Sequence, residues 1–325
     1  PSPGAVEALR RLGGDVLLLG AGGKMGPSLA RMARRASDAA GVRRRVVAAS
    51  RFSQAGLEDW LRGHGVEAVR CDLLDRAQLA AVPEAPNVVF MTGTKFGTTG
   101  REALTWAMNA YLPGLVCERF RASRVVAFST GNVYGLTPVS RGGSVEGDPL
   151  RPVGEYAQSC VGRERVFEHF SRALGVPVVL LRLNYASELR YGVLADLARR
   201  VARGEPVDLA MGHLNTIWQG DANAVALEAF ALAESPPRVL NVTGPEVLSV
   251  RALAEEFGRL LGKPVTFRGT ESGEALLSNA GPALRLFGPP RVGVPQLMAW
   301  VAEWVRRGGA DLGKPTHFES RDGNF

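Results

Sequence analysis

The stretch Asp15-Val16-Leu17-Leu18-Leu19-Gly20-Ala21-Gly22-Gly23-Lys24-Met25-Gly26-Pro27 decides the fold. Val16 to Leu19 is an unbroken apolar run, as expected of a strand covered on both faces. Pro27 suits the opening of a helix, where its missing N–H has no intrahelical partner. Between them, glycines at 20, 23 and 26 permit a tight turn, an approach of backbone N–H groups to a pyrophosphate, and close packing of helix on sheet. A glycine motif alone is weak evidence, but one that follows a strand and opens a helix is in the right context for a dinucleotide. Gly20, Gly23, Lys24, Met25 and Gly26 are accordingly assigned to cofactor binding.

Working outward, short apolar runs alternate with helix-length amphipathic segments, the pattern of a parallel sheet with crossover helices. The runs are Asp15 to Leu19, Arg45 to Ala49, Glu67 to Cys71, Asn87 to Met91, Arg124 to Phe128 and Pro177 to Leu181, with helical spacing in stretches such as Pro27 to Ala36 and Glu164 to Leu174. The remainder predicts a helix over 191–203, an extended run at 216–218, a helix over 222–233, a strand at 239–242, and surface helices at 250–261 and 294–307. The fold class is α/β: a doubly wound, Rossmann-type parallel sheet with a second, smaller α/β substrate domain. Residues 1–182 form the dinucleotide-binding domain, with a returning segment at about 214–245, and 183–325 the substrate domain.

Composition removes other classes. The chain has 325 residues, 46% of them hydrophobic and 22% charged, which is globular rather than disordered. Its net charge is +7, and of 39 basic residues only Lys24, Lys95, Lys263 and Lys314 are lysines, leaving 35 arginines. The arginines are scattered rather than gathered into a tract, which argues against a nucleic-acid partner. Cys71, Cys117 and Cys160 lack metal-ligand spacing; they predict no metal site and fit a reducing cytoplasm. No run is long enough to span a bilayer, so a cytoplasmic protein without a membrane partner is expected.

The second strand ends in Ser50-Arg51, where an NAD-selective site carries an acidic residue for the ribose hydroxyls. No carboxylate is present to repel a 2′-phosphate, and Arg51 can pair with one. NADP is therefore favoured and NAD stays open, the alternative being that Arg51 is a solvated loop residue. The third strand delivers Cys71-Asp72-Leu73, with Asp72 placed to meet the adenine amino group and Leu73 beside it.

The spacing G-x-x-G-x-x-G, the Asp72 position and the segment Phe128-Ser129-Thr130-Gly131-Asn132-Val133-Tyr134-Gly135 carry a resemblance over nearly the whole chain. The chain resembles the extended short-chain dehydrogenase/reductase superfamily, the NAD-dependent epimerase/dehydratase family. The resemblance implies that Thr130 is the catalytic hydroxyl residue, although a Thr there can equally cap a turn. Dehydratases of the family place an Asp-Glu pair after this Thr; Gly131 and Asn132 cannot act as acid or base, which disfavours dehydration. The family signature Tyr-x-x-x-Lys aligns with Tyr156 and Cys160, which share a helix face.

In the family that lysine binds the nicotinamide ribose and lowers the tyrosine pKa. Moving a tyrosine from about 10 to about 7 takes roughly 4 kcal/mol, and a neutral Cys160 offers no charge for it. Lys95, in Thr92-Gly93-Thr94-Lys95-Phe96 just past the fourth strand, faces the crevice end of the sheet and can replace the ammonium, or is a solvated cation. Arg163 can offer charge but no proton relay. Alternatively the fold binds a dinucleotide without turning it over. Cys160 as a nucleophile is the remaining reading, against the inertness of buried helical cysteines.

On the substrate side the resemblance gives Asn184 a contact to substrate, with Asn132, Arg190 and Trp218 as further lining residues beside Tyr191 and His213. Asp221 reads as a helix N-cap. Nucleotide-sugar enzymes clamp the diphosphate with arginines, but Gly212-His213-Leu214-Asn215 and Leu276-Leu277-Ser278-Asn279-Ala280 hold none. A smaller carbohydrate or sugar acid is the expected small-molecule partner. The family often dimerises through helices after its fourth and fifth strands; Pro113 interrupts the first, which weakens the expectation of a homodimer. Two functions remain: an NAD(P)-dependent oxidoreductase or epimerase acting on a carbohydrate, and a dinucleotide-binding protein with a regulatory role and lost catalysis.

Overall fold

Every apolar run of the first half becomes a strand in the computed structural model, which describes residues 1–95 and 100–323. The strands are β1 (Val16–Leu19), β2 (Val46–Ser50), β3 (Glu67–Arg70), β4 (Asn87–Phe90), β5 (Arg124–Thr130), β6 (Val178–Leu183) and β7 (Arg238–Val242). They form one seven-stranded sheet in the order β7-β6-β5-β4-β1-β2-β3. β1 pairs in parallel with both β2 and β4, Leu19 lying opposite Ala49 on one side and Phe90 on the other. The chain order therefore reverses beside β1, and the carboxyl ends of β1 and β4 flank the crevice such a reversal opens.

Helix α1 (Pro3–Arg11) precedes the sheet, and α2 (Gly26–Ala39) follows β1. Its buried Leu29, Ala30, Ala33 and Ala36 form an apolar stripe of mostly small residues that allows a close approach to the sheet. Helix α3 runs over Gly154–Leu174, ten residues earlier than the apolar stretch from Glu164. The buried face of that first half carries Ala157, Ser159, Cys160 and Arg163, so its inward side is largely polar and leaves little hydrophobic period to read.

Pro113 does not interrupt its helix as expected. Helical backbone continues through Glu102–Trp106, a π-helical turn at Ala107–Tyr111, and Leu112–Arg119. Proline clashes with the carbonyl four residues earlier, and the wider turn relieves it. That carbonyl, of Asn109, instead accepts from Arg163 Nε at 3.3 Å.

The residues divide into two compact units. The first comprises Pro1–Thr130, Glu155–Arg182 and Asn223–Leu240; the second comprises Gly131–Gly154, Leu183–Ala222 and Asn241–Phe325. Two segments depart from the expected boundaries: 131–154 lies in the second unit, and the returning segment is 223–240 rather than 214–245. Two strand-like pairings explain the first departure, since Thr137–Pro138 pairs with Glu274–Ala275 and Ser144 bridges Ser278.

The second unit is built on α4 (Val193–Arg203), α5 (Val250–Leu261) and α6 (Val294–Arg306), whose apolar faces share one core including Leu197, Phe257 and Val301. Asp221 is not an N-cap: it sits inside the first turn of the helix Gln219–Glu228, and its carboxylate accepts the Val292 N–H at 3.0 Å. Among the described residues no helix is long and apolar enough to cross a membrane, and no group of three His, Cys, Asp or Glu side chains can hold a metal.

Candidate active site

The loop after β1 is shaped by what its glycines exclude. Gly20 has φ +88°, and a Cβ there would lie 2.6 Å from Thr92 Oγ1 and 2.8 Å from Thr92 N. A Cβ on Gly26 would lie 2.3 Å from the Ala21 carbonyl oxygen. Gly23 differs: it is exposed, and the nearest atom to an added Cβ is the Gly20 carbonyl at 3.5 Å. Gly20 and Gly26 thus let the chain fold on itself, while Gly23 keeps an outward face open.

Helix α2 begins at this loop with no side-chain cap on Met25 and no acidic residue in its first turn. Its N–H groups and dipole point to where an anion would sit. Across from Gly20, the Thr92 hydroxyl is buried without a hydrogen-bond partner among the described residues. An open glycine face, an uncapped helix start and an unsatisfied buried hydroxyl fit a dinucleotide diphosphate.

At the end of β2, Ser50 packs its Oγ against Gly22, and its carbonyl accepts Cys71 N–H at 2.9 Å. Arg51 is exposed; its carbonyl accepts from Arg70 at 2.7 Å, and Arg70 is itself ion-paired with Glu58. Asp72 is half-buried and accepts the Leu74 N–H at 3.1 Å, and Leu73 is buried.

Thr130 closes β5 and Tyr156 lies on the first turn of α3. The Thr130 and Cys160 side chains both act on the ionisation of the Tyr156 hydroxyl. Burial is the largest effect on Tyr156 and pushes its ionisation well above the ordinary phenol range; the Arg163 charge and the Thr130 side chain act the other way. Cys160 is fully buried, which raises its thiol pKa and keeps it neutral. A neutral buried thiol is a poor nucleophile.

Two cations approach this pair. Arg163 is buried and tied down, donating to the Phe128 carbonyl at 2.8 Å and to Asn109 Oδ1 at 2.8 Å. Lys95 Nζ lies 5.8 Å from the centre of the Tyr156 ring, and desolvation brings its pKa down to about 8. Asn109, which sequence reasoning passed over, organises both: its carboxamide accepts Thr94 N–H at 3.0 Å and donates to Thr94 O at 3.1 Å and Ser159 Oγ at 2.9 Å. An asparagine within the apolar run Ala107-Met108-Asn109-Ala110-Tyr111-Leu112 was the available signal. Beneath Thr130, Glu164 and Arg182 form a buried ion pair at 2.6 Å, with the Ser129 hydroxyl donating to the same carboxylate.

The predicted substrate residues lie in the second unit. Asn132 lines a cavity of about 30 Å³ with Tyr185, Leu276, Ser320 and Arg321, room for about one water. Asn184 is buried and its amide donates to Asn215 Oδ1 at 2.9 Å and the Leu276 carbonyl at 3.2 Å, so both hydrogens serve the fold. Arg190 pairs with Glu188 at 3.0 Å. Trp218 packs edge-on against Trp300, ring centres 5.7 Å apart. Neither Arg190 nor Trp218 lines that cavity.

Residues 16–219 match the model of the NAD dependent epimerase/dehydratase family. Solved structures extend the likeness in fold. A UDP-glucose 4-epimerase from Thermotoga maritima, solved with UDP-glucose, superposes with a TM-score of 0.75 at 17% identity, covering 90% of this chain and 99% of its own. A dTDP-glucose 4,6-dehydratase from Bacillus anthracis in complex with NAD gives 0.77 at 14% identity, covering 91% and 97%. MoeE5 in complex with UDP-glucose and NAD gives 0.72 at 21%, covering 91% and 99%. No curated protein matches the sequence.

Proposed function

The chain belongs to the NAD dependent epimerase/dehydratase family, and on that premise we propose that it binds a nicotinamide dinucleotide on the Gly20–Gly26 loop and exchanges hydride with a carbohydrate or sugar acid. The observation that carries this reading is the pairing of Thr130 with Tyr156, in the same unit as the glycine cradle. A bound dinucleotide supplies the hydride acceptor or donor. Gly20 and Gly26 shape the loop, Gly23, Lys24 and Met25 present it to the diphosphate, and Asp72 and Leu73 flank the adenine.

Oxidation of a carbinol releases the proton of its hydroxyl. Thr130 holds that oxygen by a hydrogen bond, and Tyr156, as the phenolate, takes the proton on Oη; in reduction the resulting phenol returns it. Removing a positioned acid–base residue costs roughly 10²–10⁴ in rate. Gly131 and Asn132 in place of an acid pair leave oxidoreduction or epimerisation as the outcome, without dehydration.

The neighbouring structures hold NAD and UDP-sugars. For this chain, Ser50 and Arg51 at the end of β2, where neither residue is acidic, support NADP, and Arg51→Ala should weaken NADP binding at least tenfold while leaving NAD within threefold. The uncharged 212–215 and 276–280 segments support a sugar or sugar acid over a nucleotide sugar.

The deciding experiment combines titration of NAD and NADP with absorbance at 340 nm over a panel of sugars, sugar acids and UDP-sugars. Turnover that falls at least a hundredfold in Tyr156→Phe, with dinucleotide affinity within threefold, is the expected result. Binding with no turnover on any panel member would favour the second reading, a dinucleotide-binding protein with lost catalysis, which Cys160 in the lysine position supports.

A further inference from the structure

The helix that carries Tyr156 offers its chemistry one cation, the Arg163 guanidinium, whose charge favours ionisation of the phenol. A phenol that trades a proton passes through phenolate character, and a positive charge within about 4–6 Å favours that form by one to three pKa units. One turn along α3 stands the neutral thiol of Cys160. The next cation on the helix, Arg163, is spent on the Phe128 carbonyl and on Asn109. A guanidinium presents a planar fork of donors, already committed here, rather than a compact point charge.

A compact ammonium comes from another element. The loop after β4 brings Lys95 Nζ to 5.8 Å from the centre of the Tyr156 ring. The loop is pinned at the preceding residue, where the Asn109 carboxamide bonds both the N–H (3.0 Å) and the carbonyl (3.1 Å) of Thr94. Asn109 is held in turn from α3, by Arg163 Nη2 at 2.8 Å and through Ser159 Oγ at 2.9 Å, and Ser159 donates to the Tyr156 carbonyl at 2.8 Å. Gly93 makes the approach possible, since a Cβ there would lie 2.5 Å from Arg163 Nη2. A chain of hydrogen bonds thus fixes the lysine-bearing loop against the tyrosine-bearing helix.

Building on the hydride-transfer reading, we propose that Lys95 supplies, from the loop after β4, the ammonium that the Tyr156–Cys160 pair lacks. It acts through Tyr156 as a positioning residue, stabilising the phenolate as the proton leaves. With desolvation holding its pKa at about 8, Lys95 is charged at neutral pH and loses that charge just above it.

The test uses the full chain, the sugar that wild type turns over, and the variants Lys95→Met, Lys95→Arg and Lys95→Met/Cys160→Lys. Lys95→Met should lower kcat at least tenfold with KM and dinucleotide Kd within threefold, and should lose the fall in kcat that wild type shows above about pH 8. Lys95→Arg should keep more activity than Lys95→Met. The double variant, which places an ammonium one turn from Tyr156, should recover at least tenfold over Lys95→Met. Lys95→Gln replaces the methionine variant if that one does not fold.

A second readout needs no turnover. Reductive ¹³C-methylation labels the four lysines, and the resonance absent from Lys95→Met reports Lys95. Its midpoint should drop further with oxidised than with reduced dinucleotide, because the oxidised nicotinamide carries a positive charge. Equal shifts with both forms would assign Lys95 to the cofactor phosphates and overturn the proposal. A fully active Lys95→Met, or a double variant no better than it, would do the same while leaving the hydride-transfer reading intact. A wild type that binds no dinucleotide or turns over no sugar overturns both.

Discussion

Lys95 carries a stability cost that its proposed role explains. Burial lowers its pKa to about 8 from 10.5, so the unfolded chain holds this proton more tightly than the folded one. Unfolding takes up a proton between pH 8 and 10.5, and stability rises with pH across that window. Below about pH 8 the protein bears the cost of a half-buried, partly desolvated ammonium, at most about 3 kcal/mol from the shift. Lys95→Met has no such dependence. Urea unfolding should show the variant losing up to about 3 kcal/mol relative to wild type between pH 7 and pH 10.5; a constant difference would mean that Lys95 is well hydrated. Tyr156 runs in parallel, because burial that raises its pKa also makes its proton costly to remove without a neighbouring cation.

The glycine loop and the α3–β6 contact separate folding from binding at the level of elements. Gly20→Ala would place a Cβ against Thr92 in a backbone of positive φ, and should cost more than about 1 kcal/mol of stability. Gly23→Ala meets only ordinary van der Waals contact. It should leave stability within about 0.5 kcal/mol and weaken dinucleotide binding at least tenfold, as measured by unfolding and titration of the same samples. The Glu164–Arg182 pair ties α3 to β6 beneath Thr130. Glu164→Gln leaves Arg182 buried without its counter-charge and should cost about 3–5 kcal/mol in denaturant unfolding. A double replacement by apolar residues of similar volume should cost less, since no charge is then stranded.

Over the whole molecule the two units should answer a dinucleotide differently. At a ligand concentration of 100 Kd, mass action adds about 2.7 kcal/mol to the stability of whatever binds it. Hydrogen exchange should show slower amides in 20–26 and 91–95, and little change in α4 and α5 of the second unit. Protection confined to the second unit would contradict the assignment of the cradle.

How much of this was legible in the chain follows from the range of the interactions. Strands such as β1 and β4 are buried on both faces, so their unbroken apolar runs declared them, and α5 coincides with the expected 250–261, bounded in the structure by the Ser249 cap and by Gly262 in a left-handed turn. The start of α3 was less legible because its inner face is paired by hydrogen bonds to distant residues rather than by apolar contact. The same holds for Asn109, whose partners Thr94, Ser159 and Arg163 lie 15 to 54 positions away. Pro113 misled for the opposite reason: a local rule against helix was relieved by a π-turn whose released carbonyl found Arg163.

By itself the sequence determined the alternating fold, the glycine loop and the mismatch at Cys160, because each rests on near neighbours and fixed spacing. Only the tertiary structure decided that Lys95 and Arg163 both stand beside Tyr156, that Asn184 spends its amide on the fold, and that 131–154 belongs with the second unit. Those outcomes depend on contacts between segments far apart in the chain, where pairing geometry rather than residue type selects the partner.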